Sequence, residues 1–548
     1  MKVLIIPSAV LVPREMRSKL GDMPAILYPL NSRPMIDHLY EKYKEEVDDI
    51  YVVAYKKSNL VKDYISIKKY PIKVVVLDQL KDIGYTVEAG LEAASHDHQD
   101  IEYTYVNFAD TLIENSFSEF SSNVSIFSEE NYSQDWSYFS LEGNEIKTII
   151  DKSDSIHEQK EKEFKTFVGV FGFTDTEAFR TMLKKELEQC QTGDDSFYRA
   201  LVDFTGSIDC KYIKAEKWFD AGHSDRYLKA KTGVEARAFN SIEIDEKRGI
   251  LTKRSQNVDK FIDEIMWYVK MPNKLQYLIP RVYDYSTDRY NAYISMEYYG
   301  YNTLHELFVF GNLPLYRWQS IFEKIRFIIS DMRQYKVVGH EQEKVDAMKD
   351  MYITKTIDRL NKLRKDKNFS EFFTHDITIN GEKYHSLDYY INMLPEYIEE
   401  RLIKDQNIDF NVIHGDLCFS NVLIEENYGF MRILDPRGRF GSFDIYGDGR
   451  YELAKLMHSV EGKYDFIIED MVKLTVEETS IDYEVTGMSR NISKVFEDIF
   501  ADGVYDYKDL QLIEALLFLS MIPLHNDSVS RQYAMLATGL ELLRRSKK

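Results

Sequence analysis

The sequence predicts an α/β domain followed by a bilobal α+β domain, and three observations lead there. The first ~230 residues alternate short β-branched runs with longer amphipathic segments, the pattern of a sheet with helices on both faces. Beyond Asp220 the alternation gives way to a hairpin-like stretch, the start of a small antiparallel lobe. From about Leu304 the reading is mainly helical, interrupted only around Val412–Asp435. With 548 residues the chain has room for three to four average domains or two large ones.

In chain order, Lys2–Ile6, Asp49–Ala54, Lys73–Leu77 and Tyr103–Phe108 read as strands. Between them Met35–Glu45, Val61–Ile67 and Val87–Ala94 read as helices, giving a largely parallel sheet. Phe239–Glu243 and Gly249–Lys253, joined through Asp245–Arg248, read as a hairpin. Asp259–Tyr268 reads as a helix and Tyr293–Glu297 as another strand. The boundary falls near Lys229–Ala236, giving domains 1–232 and 233–548, the second with lobes of about 236–300 and 301–548.

Composition excludes several classes. Hydrophobic residues make up 44% and charged residues 29%, the balance of a globular protein with ample core. The net charge of −21 argues against nucleic acid or an anionic membrane as the main partner. The longest apolar stretches are about ten residues, short of the ~20 needed to span a bilayer. The N-terminus lacks the h-region and cleavage site of a signal peptide. Cys190, Cys210 and Cys418 are too few and scattered for a disulfide framework, so the expected compartment is the reducing cytoplasm. His96-Asp97-His98 has metal-like residue types but no third ligand, and reads as a solvated loop.

The most informative segment is His414-Gly415-Asp416-Leu417-Cys418-Phe419-Ser420-Asn421, with Ile433-Leu434-Asp435 a short turn later. Phosphoryl transfer needs a carboxylate to orient and deprotonate a hydroxyl, and oxygen ligands for Mg²⁺. Asp416, Asn421 and Asp435 supply that set. The segment resembles the aminoglycoside phosphotransferase and choline kinase superfamily, whose fold is bilobal and protein-kinase-like. The resemblance implies that Asp416 is the catalytic base, that Asn421 and Asp435 bind Mg²⁺, and that His414 supports the loop. Gly447-Asp448-Gly449-Arg450-Tyr451-Glu452-Leu453-Ala454 resembles the family's later G-D-x-x-x-D-L-A stretch, with Glu452 where Asp is usual. Lys253 then corresponds to the lysine on ATP phosphates, Glu264 to its partner, and Met296-Glu297 to the hinge that meets adenine. A Gly-rich phosphate loop is missing.

The N-terminal half resembles nucleotidyltransferases that activate sugar phosphates or phosphocholine, which have a Rossmann-like mixed sheet. The resemblance is carried by Val3–Ala9, by Pro24-Ala25-Ile26-Leu27-Tyr28-Pro29 through Arg33-Pro34-Met35-Ile36, by Asp82–Ala94, by Phe108-Ala109-Asp110, by Ile146–Lys152 and Phe167-Val168-Gly169-Val170-Phe171, and by Trp218-Phe219-Asp220-Ala221-Gly222. It implies Mg²⁺ on Asp110 and Asp220, bridging the α-phosphate and the attacking phosphomonoester. It also implies a triphosphate clamp of Arg14, Arg17 and Lys19, with Lys152 on the acceptor phosphate. Two departures stand out. Pro7-Ser8-Ala9-Val10-Leu11-Val12-Pro13 replaces the family's glycine loop, and Ala25 replaces the lysine after Pro24.

Together the two resemblances imply consecutive steps. ATP phosphorylates a small hydroxyl compound, and a second nucleotide, CTP by comparison with a fused choline kinase and phosphocholine cytidylyltransferase, activates the phosphomonoester. The product would decorate a capsule, lipopolysaccharide or similar surface glycan. A sugar 1-kinase fused to a sugar-1-phosphate nucleotidyltransferase is an alternative. So is a kinase carrying a degenerate nucleotide-binding scaffold. The alcohol, the base and the oligomeric state are not read from these residues.

Overall fold

A computed structural model describes residues 1–30, 32–129, 136–151, 164–189, 196–223, 227, 242–404, 409–425, 429–487, 491–501 and 503–547. The chain divides into two units, Met1–Ala238 and Phe239–Lys548.

The first unit is built on a nine-stranded mixed sheet. Val3, Leu4, Ile5 and Ile6 are buried on both faces, as a continuous apolar run in a covered parallel strand must be. Their strand, Lys2–Ser8, lies between Asp49–Ala54 and Tyr103–Asn107, parallel to both, with Ile5 opposite Tyr51 and Val106. Ile72–Val76 extends this parallel half. The other half turns antiparallel at Lys165–Phe173, which pairs with Tyr103–Asn107 on one side. On its other side it meets both Val124–Ser128 and Ser137–Glu142. The sheet is therefore mixed, as the resemblance implied, rather than largely parallel as the strand–helix alternation alone suggested: Lys165–Phe173 runs antiparallel to each strand it pairs with.

That strand is irregular for a reason that bears on the site. Gly169 has φ +78, a conformation glycine adopts without a Cβ penalty, and the register with Val124–Ser128 shifts across it. Its carbonyl accepts from the Phe108 N–H at 2.9 Å, and a Cβ at Gly169 would stand 2.7 Å from the Phe108 ring. The kink thus fixes the turn carrying Asp110.

The second unit opens with a four-stranded antiparallel sheet in the order Ile242–Asp245, Ile250–Lys253, Tyr293–Glu297, Val282–Ser286. Of the Phe239–Glu243 strand expected from sequence, the described part begins at Ile242. The Val258–Lys270 helix buries Phe261, Ile265, Trp267 and Tyr268 along one stripe. Further on, the hairpin of Val422–Glu425 and Phe430–Ile433 leads into the Gly449–Val460 helix, which is buried all round. Val472–Glu477, Ser480–Val485, Ile377–Ile379 and Glu382–Tyr384 form another sheet. The mainly helical reading after Leu304 missed it. The strict alternation Val472, Leu474, Val476 was the available signal.

Candidate active sites

In the second unit Lys253 ends its strand with Nζ 2.8 Å from Glu264 Oε1 and 2.7 Å from Asp435 Oδ1. The Lys253–Glu264 contact is the pairing expected from the resemblance, whereas the contact of Lys253 with Asp435 was not foreseen. Burial pulls the Lys253 ammonium toward deprotonation, but Asp435 and Glu264 together outweigh it and hold its pKa above the usual value. Burial, aided by the Asp435 charge, pushes the Glu264 carboxyl up to about 7. Asp435 sits at φ +54, a left-handed conformation that costs a non-glycine residue ~1 kcal/mol or more. Its N–H donates to the Tyr268 hydroxyl at 3.0 Å.

The His414–Asn421 loop is held from beneath. The His414 ring is buried, and Nε2–H donates to the Leu434 carbonyl at 2.7 Å while Nδ1 accepts the Asp416 N–H at 3.3 Å. That pairing requires a neutral ring, and burial lowers its pKa to about 4. The Asn421 amide donates to the Asp416 carbonyl at 2.8 Å and lies 3.4 Å from Asp416 Oδ2. Glu452, only 1% exposed, accepts the backbone N–H of both His414 and Gly415. Burial lifts its carboxyl to about 7, against the pull of those two N–H groups. The Glu452 carboxylate thus clamps the backbone of the loop.

Sequence reasoning missed Lys455, which is buried with Nζ 2.8 Å from Asp416 Oδ1. The Asp416 side chain is 41% exposed, so it is both salt-bridged and reachable. Burial alone would raise the Asp416 pKa, yet Lys455 reverses the direction and keeps it below the usual carboxylate value. The signal was present: Glu452 and Lys455 stand three apart on one helix and so face the same loop. Met296 is buried in its strand, and the Glu297 N–H donates to the Arg281 carbonyl at 2.9 Å. Glu297 thus spends its N–H inside the sheet rather than on a ligand.

In the first unit Asp110 and Asp220 come together. Asp220 pairs with Thr111 in a two-stranded ribbon, and the Ala221 N–H donates to the Asp110 carbonyl at 2.8 Å. Gly222 lies between the carboxylates: a Cβ there would stand 2.3 Å from Asp110 Oδ2 and 3.3 Å from Asp220 Oδ1. Only glycine allows the two oxygens to converge this closely. Asp220 also accepts from the Gly222 N–H at 2.8 Å and the Trp136 indole at 2.7 Å, and its Oδ2 lies 2.7 Å from His223 Nδ1. Trp136 stacks obliquely on Trp218, centroids 4.6 Å apart. These rings pack against one another and orient the carboxylate.

The residues expected to clamp a triphosphate are placed differently. Arg17 Nε donates to the Val12 carbonyl at 2.6 Å, Arg14 is exposed, and Ala25 is buried at 8% exposure. The Lys19 side chain and Lys152 lie outside the described residues. Asp82 caps the Ile83–Asp97 helix through the Tyr85 N–H at 2.8 Å and also accepts the Ser196 N–H at 3.0 Å. His98 is paired with Asp49. Among the described residues no group of three or more His, Cys, Asp or Glu is arranged to hold a metal, and no helix is long and apolar enough to cross a membrane.

No protein-family model and no curated protein matches the chain. Solved structures do match its N-terminal part. A CTP:phosphocholine cytidylyltransferase from Streptococcus pneumoniae is 17% identical, with 42% of this chain and 99% of that one covered and a TM-score of 0.34. An inositol-1-phosphate CTP transferase from T. maritima is 14% identical, covering 43% and 97%, at 0.34. A putative glucose-1-phosphate thymidylyltransferase from Bacillus anthracis is 15% identical, covering 44% and 97%, at 0.33.

Proposed function

We propose that this chain is a bifunctional enzyme. Its second unit phosphorylates a small hydroxyl compound with ATP. Its first unit joins the resulting phosphomonoester to a nucleoside monophosphate, with CTP as the nucleotide, and releases pyrophosphate. The product is an activated precursor made in the cytoplasm for capsule or lipopolysaccharide modification. The observation that carries the reading is Lys253 bridging Glu264 and Asp435, at 2.8 and 2.7 Å, in a unit where Asn421 and a lysine-paired Asp416 share one loop.

In this reading Lys253 meets the ATP phosphates and Glu264 fixes its ammonium. Asn421 and Asp435 suit Mg²⁺ as neutral and anionic oxygen donors, and the ion would neutralise charge on the transferring phosphate. Asp416 orients the acceptor hydroxyl and takes its proton as the oxygen attacks the γ-phosphorus and the bond to the β-bridging oxygen breaks. Neutral His414 and buried Glu452 keep that carboxylate in place. In the first unit Asp110 and Asp220 would hold Mg²⁺, and the ion would supply charge neutralisation as pyrophosphate leaves.

The test is ATP-dependent phosphorylation and pyrophosphate release by the full chain. Asp416→Ala removes the first, and Asp110→Ala or Asp220→Ala removes the second. Phosphorylation that survives Asp416→Ala contradicts the kinase assignment. A second reading, a working kinase with a nucleotide-binding scaffold, is favoured by buried Ala25 and by Arg17 turned onto its own backbone. It predicts that no nucleotide yields pyrophosphate.

A further inference from the structure

Lys455 is one edge of a larger basic cluster beside Asp416. Lys355 and Arg359 lie one turn apart on the Lys355–Leu363 helix. Lys355 Nζ is 3.4 Å from the hydroxyl of Tyr451 and 5.2 Å from its ring centroid, and Tyr451 shares its helix with Lys455. Arg437 enters from the hairpin side. Its N–H donates to the His414 carbonyl at 3.0 Å, and a Cβ at Gly415 would stand 3.0 Å from Arg437 Cβ. The hydrogen bonds made by these guanidinium groups go to neutral carbonyls: Arg437 to Arg439 at 3.0 Å, Arg359 to Ser520 at 3.1 Å. Among the described residues no carboxylate lies within 4.0 Å of a charged nitrogen of Lys355, Arg359 or Arg437.

Three half-buried cations therefore lie near Asp416, whose own charge is already matched by Lys455. Their mutual repulsion is visible on Lys355, whose pKa falls to about 8 through burial first, then Arg437 and Arg359, against the Tyr451 hydroxyl. Gathering like charges away from water is unfavourable unless a bound anion offsets them. The two oxygens of Asp416 also divide the site. Oδ2 faces Asn421, on the side of the proposed metal ligands, and Oδ1 faces Lys455, whose helix also carries Tyr451 beside Lys355.

We infer that the acceptor phosphorylated at Asp416 is an anionic hydroxyl compound, its carboxylate or phosphate group held by Lys355, Arg359 and Arg437. The inference rests on the kinase reading and narrows its substrate class. It disfavours a quaternary ammonium alcohol, whose positive charge this cluster repels. The reaction itself is unchanged: the hydroxyl oxygen gains the γ-phosphoryl group, Asp416 takes the proton and ADP leaves.

The test uses the full chain with Mg·ATP and four probes: glycerate, glycerol 3-phosphate, glycerol and choline. ADP release and ligand-dependent thermal stabilisation are read in parallel. The expected result is a response to one or both anionic probes at concentrations where glycerol and choline give none. Glycerate against glycerol 3-phosphate then tells a carboxylate ligand from a phosphate. Lys355→Met and Arg359→Met should raise the KM for the anionic probe at least tenfold while the KM for ATP stays within twofold, and Lys355→Arg should recover most of the loss. Choline or glycerol matching the anions overturns the inference. So does an equal rise in the KM for ATP, which would assign the cations to the nucleotide. Mg·ATP stabilisation with no response to either anion overturns the acceptor class alone, whereas no stabilisation by Mg·ATP overturns the kinase reading beneath it.

Discussion

The two candidate sites are built by opposite means. In the second unit each reacting group is bracketed by partners from separate elements. Lys253 lies between Glu264 and Asp435, Asp416 between Lys455 and Asn421, and the loop backbone rests on Glu452. In the first unit the aspartate pair is equally well built, by Gly222, Trp136 and a two-stranded ribbon, and among the described residues the expected triphosphate clamp shows only Arg14 and Arg17. There Ala25 is buried and Arg17 is engaged with its own loop. The contrast teaches that a pair of carboxylates can be fixed closely by its own neighbours without cations gathered beside it among the described residues.

The largest expected effect is on Asp416. Asp416→Ala should lower phosphoryl transfer by ~10²–10⁴, the range of a positioned base, and leave pyrophosphate release untouched when the phosphomonoester is supplied. Loss of both activities would break the comparison by coupling the sites. Next comes Gly222→Ala, whose new Cβ would stand 2.3 Å from Asp110 Oδ2. Forcing the carboxylates apart should weaken Mg²⁺-dependent nucleotide binding at the first unit by about tenfold or more, with ATP binding by the second unit unchanged in the same titration.

A smaller effect lies in stability. The Glu452 carboxyl is raised from its usual range to about 7, so between those limits the folded state carries a proton that the unfolded chain lacks. Stability contributed by this group therefore falls as pH rises from ~4.5 to ~7, by about 3 kcal/mol at most. Denaturant titrations should show a steeper slope in the natural chain than in Glu452→Gln, where Glu264 still contributes its own share. An identical slope in both proteins would remove Glu452 from the account.

Much of this was legible in the sequence, for physical reasons that differ by element. Buried parallel strands announce themselves as apolar runs, so Val3–Ile6 and Tyr51–Ala54 were plain. The candidate loop was plain too, because His414, Asp416 and Asn421 lie close together in sequence. The pairing of Lys253 with Glu264 was expected from the resemblance rather than from local pattern. What escaped depends on contacts distant in sequence or on half-exposed patterns. The basic cluster gathers Lys355, Arg437 and Lys455 from three separate elements, and no local spacing marks it. The sheet of Val472–Glu477 and Ser480–Val485 has one wet face, and its alternation was lost among surrounding helices. The loop of Pro7–Pro13 was read correctly as glycine-free, but its consequence, Arg17 folding back onto Val12, needed coordinates.

The most direct test of two separate nucleotide sites is calorimetric titration of the full chain with Mg·ATP and with Mg·CTP, in the natural protein and in Asp435→Asn and Asp220→Asn. The account predicts that both nucleotides bind the natural protein, that Asp435→Asn weakens ATP alone, and that Asp220→Asn weakens CTP alone. A natural protein that does not bind CTP, or a single substitution that weakens both nucleotides equally, would contradict it.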